Sequence, residues 1–476
     1  MKHQKIILIA VLAAFVLLNT LFIAKELFIF SFISLVLLLG YLLIYRVDMV
    51  IYLMALTTPF SIIISDENVN LGLSLPSELI MISLTLLFLC RILYDLNLDR
   101  QYIKHPVSIA IYLYLLWLLI TSVASELPLV SFKFLASKLW FITSSYFVLL
   151  QFMKHDIKKW ITFFNCYAFG LATVVLITTA KSAVVGFGEH QMHWIMKPFY
   201  NDHTAYGAIL AFFSVIYIGM IFLPNIKKWH RMLYIGFALT FLVGLYCSFS
   251  RAAWISFFVA ALVWLVVKMR IKFSWLIVGV ALFGTLFFYF ADDILYRMSR
   301  NSQDSSGNLT EQLQSITNIS TDASNVERLN RWTAAFGMIK ENPVMGWGPG
   351  TYQFVYAPFQ KPTYKTIITT DFGDGGNAHS EFIGPCAETG FIGLATVLLL
   401  MILIIYYGLI TYARSRNKQI KVLALSAVLA LISYYTHGIL NNFLDTDKLS
   451  LPFWACFGLI VMLHVLYKRE SESVKE

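Results

Sequence analysis

The sequence predicts an all-α, polytopic membrane protein of about 12–14 transmembrane helices with one long loop between them. Composition is the first reason. Of 476 residues, 58% are hydrophobic and 13% charged, whereas a soluble globular chain carries about 25% charged residues. Aromatics are the second reason. They make up 16% of the chain, with Phe 39 and Tyr 25, which suits helices that face lipid and end in aromatic belts. The third is the spacing of apolar runs long enough to cross a hydrocarbon core of about 30 Å. These features exclude a cytosolic enzyme, a disordered chain and a disulfide scaffold. Cys90, Cys166, Cys247 and Cys456 lie in apolar runs and only Cys386 lies near a loop, so neither a disulfide framework nor a metal spacing is present.

Fourteen runs are expected as spans: 5–24, 27–45, 49–65, 71–90, 106–125, 139–153, 160–180, 205–224, 232–249, 252–267, 274–291, 391–412, 422–440 and 449–467. The first follows Met1-Lys2-His3-Gln4-Lys5, like a signal peptide. It has no convincing small-residue cleavage site and a second span follows at once, so it reads as an uncleaved helix. The turns at Lys25-Glu26 and Ser250-Arg251 are tight, and either pair of runs could be one bent or re-entrant helix.

Charge sets the expected orientation. With the N-terminus inside, the inner segments hold 22 of the 36 Lys and Arg, the short outer segments seven, and one long loop the other seven. Long loops do not vote on topology. The split favours both termini in the cytoplasm and the long loop outside. The net charge of +9 is therefore a topology signal and not a nucleic-acid footprint. Three regions follow: an N-terminal bundle (1–291), the outer loop (292–390) and C-terminal spans with a short tail (391–476).

The loop is far longer than ordinary connections, so it is functional or disordered. Asn301 to Asn325 is polar and reads as flexible. Val326 to Glu341 carries Leu329, Trp332, Phe336, Met338 and Ile339 near helical spacing, and Asn342-Pro343 ends that run. Gly346-Trp347-Gly348-Pro349-Gly350 is a turn-rich segment. An aromatic patch from Tyr352 to Tyr364 is expected on the membrane surface or against the bundle. The loop ends at Asp371 to Ser380, just before the next span.

An outer-face enzyme has no ATP or nucleotide-sugar. It needs a donor already activated on a lipid or protein, cations for a growing negative charge, and a base for the attacking hydroxyl. Arg251 follows Ser250, which can cap the next helix and set the guanidinium beside a helix N-terminus. Its plainer role is to anchor a helix end at the interface. Arg328 and Arg331 fall on the loop helix, where a solvated face is the ordinary reading. His379 follows a glycine-rich stretch and can accept a proton near neutrality; its plainer reading is an ordinary loop histidine. His203 lies at a second outer edge and suits an architectural or substrate-contact role. Asp371 and Asp374 read as a solvated turn before they read as metal ligands. No P-loop, zinc spacing or nucleophile elbow is present.

His379-Ser380, nine residues, then Gly390-Phe-Ile-Gly393 resembles the His-(Asn/Ser/Gln)-x9-Gly-x-x-Gly signature of bacterial O-antigen ligases. Arg328-Leu-Asn-Arg331-Trp332, Asn342-Pro343 and Gly346-Trp-Gly348-Pro-Gly350 resemble the loop core of the wider O-antigen ligase and polymerase (Wzy-C) superfamily. Ser250-Arg251-Ala-Ala-Trp254 resembles its other arginine motif. The likeness spans about residues 200–400. It implies a GT-C-like fold of about twelve spans and an inverting glycosyltransferase of the bacterial inner membrane, with no cofactor or required metal. It further implies a polyprenyl pyrophosphate-linked glycan as donor and lipid A-core or another glycan as acceptor. His379 would be the base; Arg251 and Arg328 would hold the pyrophosphate. Arg331, His203, Ser380 and Glu388 are secondary substrate-binding candidates. Gly390 and Gly393 would allow close helix packing. Ligation, polymerisation and transfer to protein hydroxyls all remain open. A transporter or flippase would instead show mid-bilayer ionisable residues in paired halves. Glu78 is the clearest acidic residue inside a span, and it has no paired half.

Overall fold

The computed structural model describes residues 15–25, 29–66, 71–95, 98–271, 323–361 and 376–472. Within them the apolar runs become helices α1 (Phe15–Ala24), α2 (Ile29–Tyr45), α3 (Val47–Thr57), α4 (Ser77–Asp95) and α5 (Pro106–Val123). Next come α6 (Pro128–Ile142), α7 (Ile157–Val185), α8 (His203–Met220), α9 (Lys228–Cys247) and α10 (Arg251–Lys268). The loop supplies α11 (Ala323–Glu341), and the chain closes with α12 (Ile383–Arg414), α13 (Lys418–His437) and α14 (Asp447–Glu472). Among the described residues, 9 helices are long and apolar enough to cross a membrane. The fold is thus all-α and polytopic. The run 274–291 and the acids Asp371 and Asp374 lie outside the described residues.

Several boundaries differ from expectation. The run 49–65 stops as a helix at Phe60, where Pro59 sits in a tighter turn, Thr58–Phe60. The β-branched stretch Ile62–Asp66 then pairs antiparallel with Leu71–Leu75, Ile62 opposite Leu75. A short apolar run does not distinguish strand from helix by periodicity. Pro128 at the first helical position starts α6 well before residue 139. The helix continues through one wider π-type turn, Thr143–Val148, to Phe152. The tight Ser250-Arg251 connection joins two full helices. Trp254 Nε1 donates to the Leu245 carbonyl at 2.9 Å and pins α10 back along α9.

At the centre stands α14, buried from Asp447 to Val465 on every face. A helix that is apolar all round belongs inside a bundle. Its first turn is the exception, and its charges are matched. Asp447 accepts from the Ser61 and Ser77 hydroxyls, and Lys448 donates to the Ser61 carbonyl at 2.8 Å. Pro452 has no N–H for the Lys448 carbonyl four residues back. The Tyr167 hydroxyl takes that place, donating at 2.6 Å. Around this axis α7, α8 and α13 complete the main core.

Hydrogen bonds tie the two ends of the bundle separately. At one end Arg469 meets Gln101, Asn417 meets Glu470, and Tyr102 meets His155. At the other Lys138 meets Asp445, His203 meets Ser248, and Glu381 meets Gly438. Residues expected on one side of a membrane therefore share one end of the structure.

The loop packs on that second end as a small core of its own. Ala334, Ala335, Met338, Tyr352, Tyr356, Ala378 and Ala387 are buried together, so the described part of the aromatic patch, 352–361, lies against α11 and the start of α12; residues 362–364 lie outside the described residues. What holds it there is a break in α12. Gly390 sits at φ 69, ψ −175 inside the helix. In an unbroken helix the carbonyls of residues 387–389 would take the N–H groups of residues 391–393. Here Ala387 accepts from Trp347 N–H (3.2 Å), Glu388 from Gly348 N–H (2.8 Å), and Phe391 N–H donates to Pro343 (2.8 Å). Thr389 accepts from Trp117 Nε1 at 2.8 Å. A Cβ on Gly390 would lie 2.0 Å from the Val344 carbonyl oxygen, and one on Gly393 only 1.8 Å from Thr389 Oγ1. Both glycines thus permit close approach.

Gly390→Ala is therefore expected to destabilise the folded protein by at least about 1–2 kcal/mol from its left-handed φ alone, with the clash added. Thermal melting in detergent should show a clear fall in Tm, and an unchanged Tm would contradict this account of the kink.

Candidate active site

The loop helix α11 opens with an ion pair. Arg331 Nε donates to Glu327 Oε1 at 2.8 Å, one turn back, and both side chains are buried. A buried pair is tolerated only when its remaining donors are also met. The second guanidinium nitrogen donates to the Asn377 carbonyl at 3.2 Å, and the plane sits 5.2 Å above the Tyr356 ring. Gly376, at φ +93, runs so close that a Cβ would come within 2.1 Å of Arg331 Nη1. Arg331 was expected to contact substrate; the structure places it as the clamp that draws residues 376–377 onto α11.

That clamp presents His379. The Asn377 side chain accepts the His379 N–H at 3.0 Å, closing a small turn. His379 itself has φ +48, an unusual conformation for a residue with a Cβ and one concentrated at functional sites. The next residue, Ser380, is fully buried, and its hydroxyl accepts the Phe382 and Ile383 N–H groups at 3.3 Å. Ser380 thus closes the turn that leads into α12. Glu381 then locks the turn to the bundle. Its carboxylate accepts from the Tyr434 hydroxyl, Phe443 N–H (2.9 Å) and Leu444 N–H (3.0 Å), while its own N–H donates to Gly438 at 2.7 Å. Glu388 does the same for the glycine-rich segment. Its carboxylate accepts from Gly350 N–H (2.9 Å) and Tyr352 N–H (3.0 Å).

Cations surround the half-buried imidazole. Burial first, then Arg331 and Arg328, hold His379 far below the usual histidine range, at about 3, with Asp202 opposing them. The ring is neutral at physiological pH and keeps a free electron pair. Asp202 caps α8, accepting from Thr204 N–H (2.7 Å), Thr204 Oγ1 (2.6 Å) and Ala205 N–H (2.7 Å). His203 Nδ1 lies 3.0 Å from the Ser248 carbonyl, which suits the architectural role. Gly207 lets the helices meet, since a Cβ there would be 2.7 Å from Ser250 Cβ. Ser250 caps α10 as expected, accepting from Ala253 N–H at 3.4 Å. Arg251 is the first residue of α10 and is half-buried.

The structure thus brings His379 and Arg328 together, with Arg331 behind them. Arg251 and His203 stand at neighbouring helix starts on the same end of the bundle. Asp202, Glu381 and His437 were not singled out from sequence. Asp202 and Arg328 also lie within electrostatic reach of His437, at the end of α13. Only Asp202 had a readable signal, as an N-cap before Thr204-Ala205. Among the described residues, no group of three or more His, Cys, Asp or Glu could hold a metal ion. Chemically, the arrangement offers a neutral proton acceptor beside a guanidinium, next to the starts of two helices.

Residues 236–398 match the family model described as O-antigen ligase. The segment contains Arg251, Arg328, His379, Gly390 and Gly393, so the resemblance read from the motifs is borne out where those motifs lie. It covers ligases and polymerases alike. No curated protein matches the chain.

The depressed pKa of His379 has a consequence for stability. Unfolded, the imidazole binds a proton below about 6.5; folded, it does so only near 3. Its contribution is present above the unfolded value and is lost as pH falls from about 6.5 towards 3. His379→Gln should therefore lose less Tm than the parent between pH 7 and pH 4. Parallel losses in the two proteins would mean that the imidazole titrates normally.

Proposed function

We propose that this chain, whose central segment matches the O-antigen ligases, transfers a preassembled glycan from a polyprenyl diphosphate to an acceptor sugar hydroxyl. The observation that carries the reading is a neutral imidazole on a strained turn beside Arg328, on the matched segment. His379 accepts the proton of the acceptor hydroxyl. The oxygen attacks the anomeric carbon from the face opposite the leaving group. The bond from that carbon to the diphosphate oxygen breaks, and the polyprenyl diphosphate leaves with the electron pair. Arg328 and Arg251 hold the diphosphate and stabilise the charge that grows on it; Arg binds such oxygens with paired donors where Lys cannot. Anomeric configuration inverts. The chemistry asks for no nucleotide-sugar, metal or cofactor.

Charge links donor binding to catalysis. In the free protein Arg328 and Arg331 suppress the basicity of His379. A bound diphosphate offsets the charge on Arg328, so the base strengthens when there is a glycan to transfer. The fixed donors meet charge as it develops and need little reorganisation.

In this reading the site faces the periplasm, both termini are cytoplasmic, the membrane is the bacterial inner membrane, and lipid A-core is the acceptor. Polymerisation of the lipid-linked glycan uses the same residues, and so does transfer to protein hydroxyls.

The test is the lipid-linked glycan pool in cells carrying only the His379→Ala protein. Long lipid-linked chains with bare lipid A-core are expected. Accumulated single repeat units would mean a polymerase, and unchanged pools would sink the glycan-transfer reading for these two acceptors. Arg251→Lys keeps charge but loses the paired donors. Its transfer rate is expected to fall at least about tenfold, the equivalent of one charge-assisted hydrogen bond. A rate equal to the parent would return Arg251 to a helix anchor. Turnover by purified protein in detergent would separate either enzyme from a transporter.

A further inference from the structure

His437 ends α13 and is 1% exposed. Neither ring nitrogen has a hydrogen-bond partner among the described residues. Four other described histidines are served. His105 and His464 meet at 2.9 Å, His155 meets the Tyr102 hydroxyl at 2.7 Å, and His203 meets the Ser248 carbonyl. A buried polar group left unmet is destabilising, and its retention calls for an explanation.

The backbone that carries the ring is held. The next residue, Gly438, accepts the Glu381 N–H at 2.7 Å, and Leu440 N–H donates to the His437 carbonyl at 3.1 Å. The Phe443 ring lies 5.7 Å away. One turn back, Ser433 donates to Ser256 of α10 at 3.3 Å, so the end of α13 lies level with the start of α10, where Arg251 stands. Asp202 and Arg328 reach His437 electrostatically, as they reach His379. The two histidines thus lie within electrostatic reach of the same two charges.

The chemistry of the ring narrows its ligand. A neutral imidazole offers one N–H donor and one acceptor. Phosphate oxygens take donors only, and the arginines already supply those. A sugar hydroxyl both gives and takes. We propose that His437 is a sugar-binding residue that hydrogen-bonds hydroxyls of the donor glycan's first sugar, the one whose anomeric carbon is attacked. This rests on the reading of the site as a glycan-diphosphate site.

The test is thermal melting of the purified full chain with two probes, polyprenyl diphosphate and the glycan-bearing polyprenyl diphosphate extracted from host membranes. Both should stabilise the parent, the second more strongly. His437→Phe should keep the stabilisation by the bare diphosphate and lose the glycan increment, corresponding to about tenfold weaker binding of the glycan-bearing donor. Without ligand it should be at least as stable as the parent, because an unmet polar group has been removed. His437→Gln, whose amide supplies a donor and an acceptor, should recover most of the increment. His437→Leu serves the same comparison if the Phe protein does not insert. A parent stabilised by neither probe overturns the diphosphate-donor reading. A parent that gains nothing from the glycan, an apolar variant that keeps the increment, or a Gln variant that does not recover it overturns the role of His437 alone.

Discussion

The break in α12 at Gly390 is the constraint on which the site depends. A straight helix would satisfy its own carbonyls and leave the loop nothing to bond. The left-handed glycine turns that register outward. The carbonyls of Ala387, Glu388 and Thr389 are instead taken by Trp347, Gly348 and Trp117, and Phe391 donates to Pro343. Buried backbone groups must be paired, so opening one helix and seating the glycine-rich segment are a single event. Only glycine fits, because the Val344 carbonyl occupies the space a Cβ would need.

Two carboxylates extend this seating to different partners. Glu388, just before the kink, gathers the N–H groups of Gly350 and Tyr352. Glu381, two turns earlier, gathers Tyr434, Phe443 and Leu444. Leu444 and Asp445 in turn receive Lys138 of α6 at 2.8 Å each. The turn carrying His379 is therefore tied to three separate helices and to the loop. A side chain on a free loop would lose orientation with every thermal excursion; here the strained φ of His379 is over-determined by its surroundings.

The same packing sets the electrostatics. Arg331 does not reach outward, because Glu327, Asn377 and Tyr356 already engage it. Burial first, then its charge and that of Arg328, hold the His379 imidazole below the usual histidine range. In the proposed function a bound diphosphate would relieve that suppression and so couple donor occupancy to the basicity of His379. Asp202 opposes the cations while capping α8, so one carboxylate serves helix and site together.

Much of the architecture was legible in sequence because it depends on composition over long windows. Apolar length marked the spans, charge asymmetry sorted their ends, and helical spacing with Asn342-Pro343 marked α11. The motif residues Arg251, Arg328 and His379 were legible because their spacing resembles a family that the segment 236–398 then matched. Short-range competition was less legible: Ile62–Asp66 is as apolar as a helix but pairs as a strand. What individual polar residues do was decided only by tertiary structure. Ser380 closes the turn into α12, Glu388 and Arg331 clamp loops, and Asp202 and His437, from separate helices, come within electrostatic reach of each other. A local pattern determines the kind of element a residue occupies. Which charges and carbonyls it meets depends on how distant elements pack, and no spacing along the chain encodes that meeting directly.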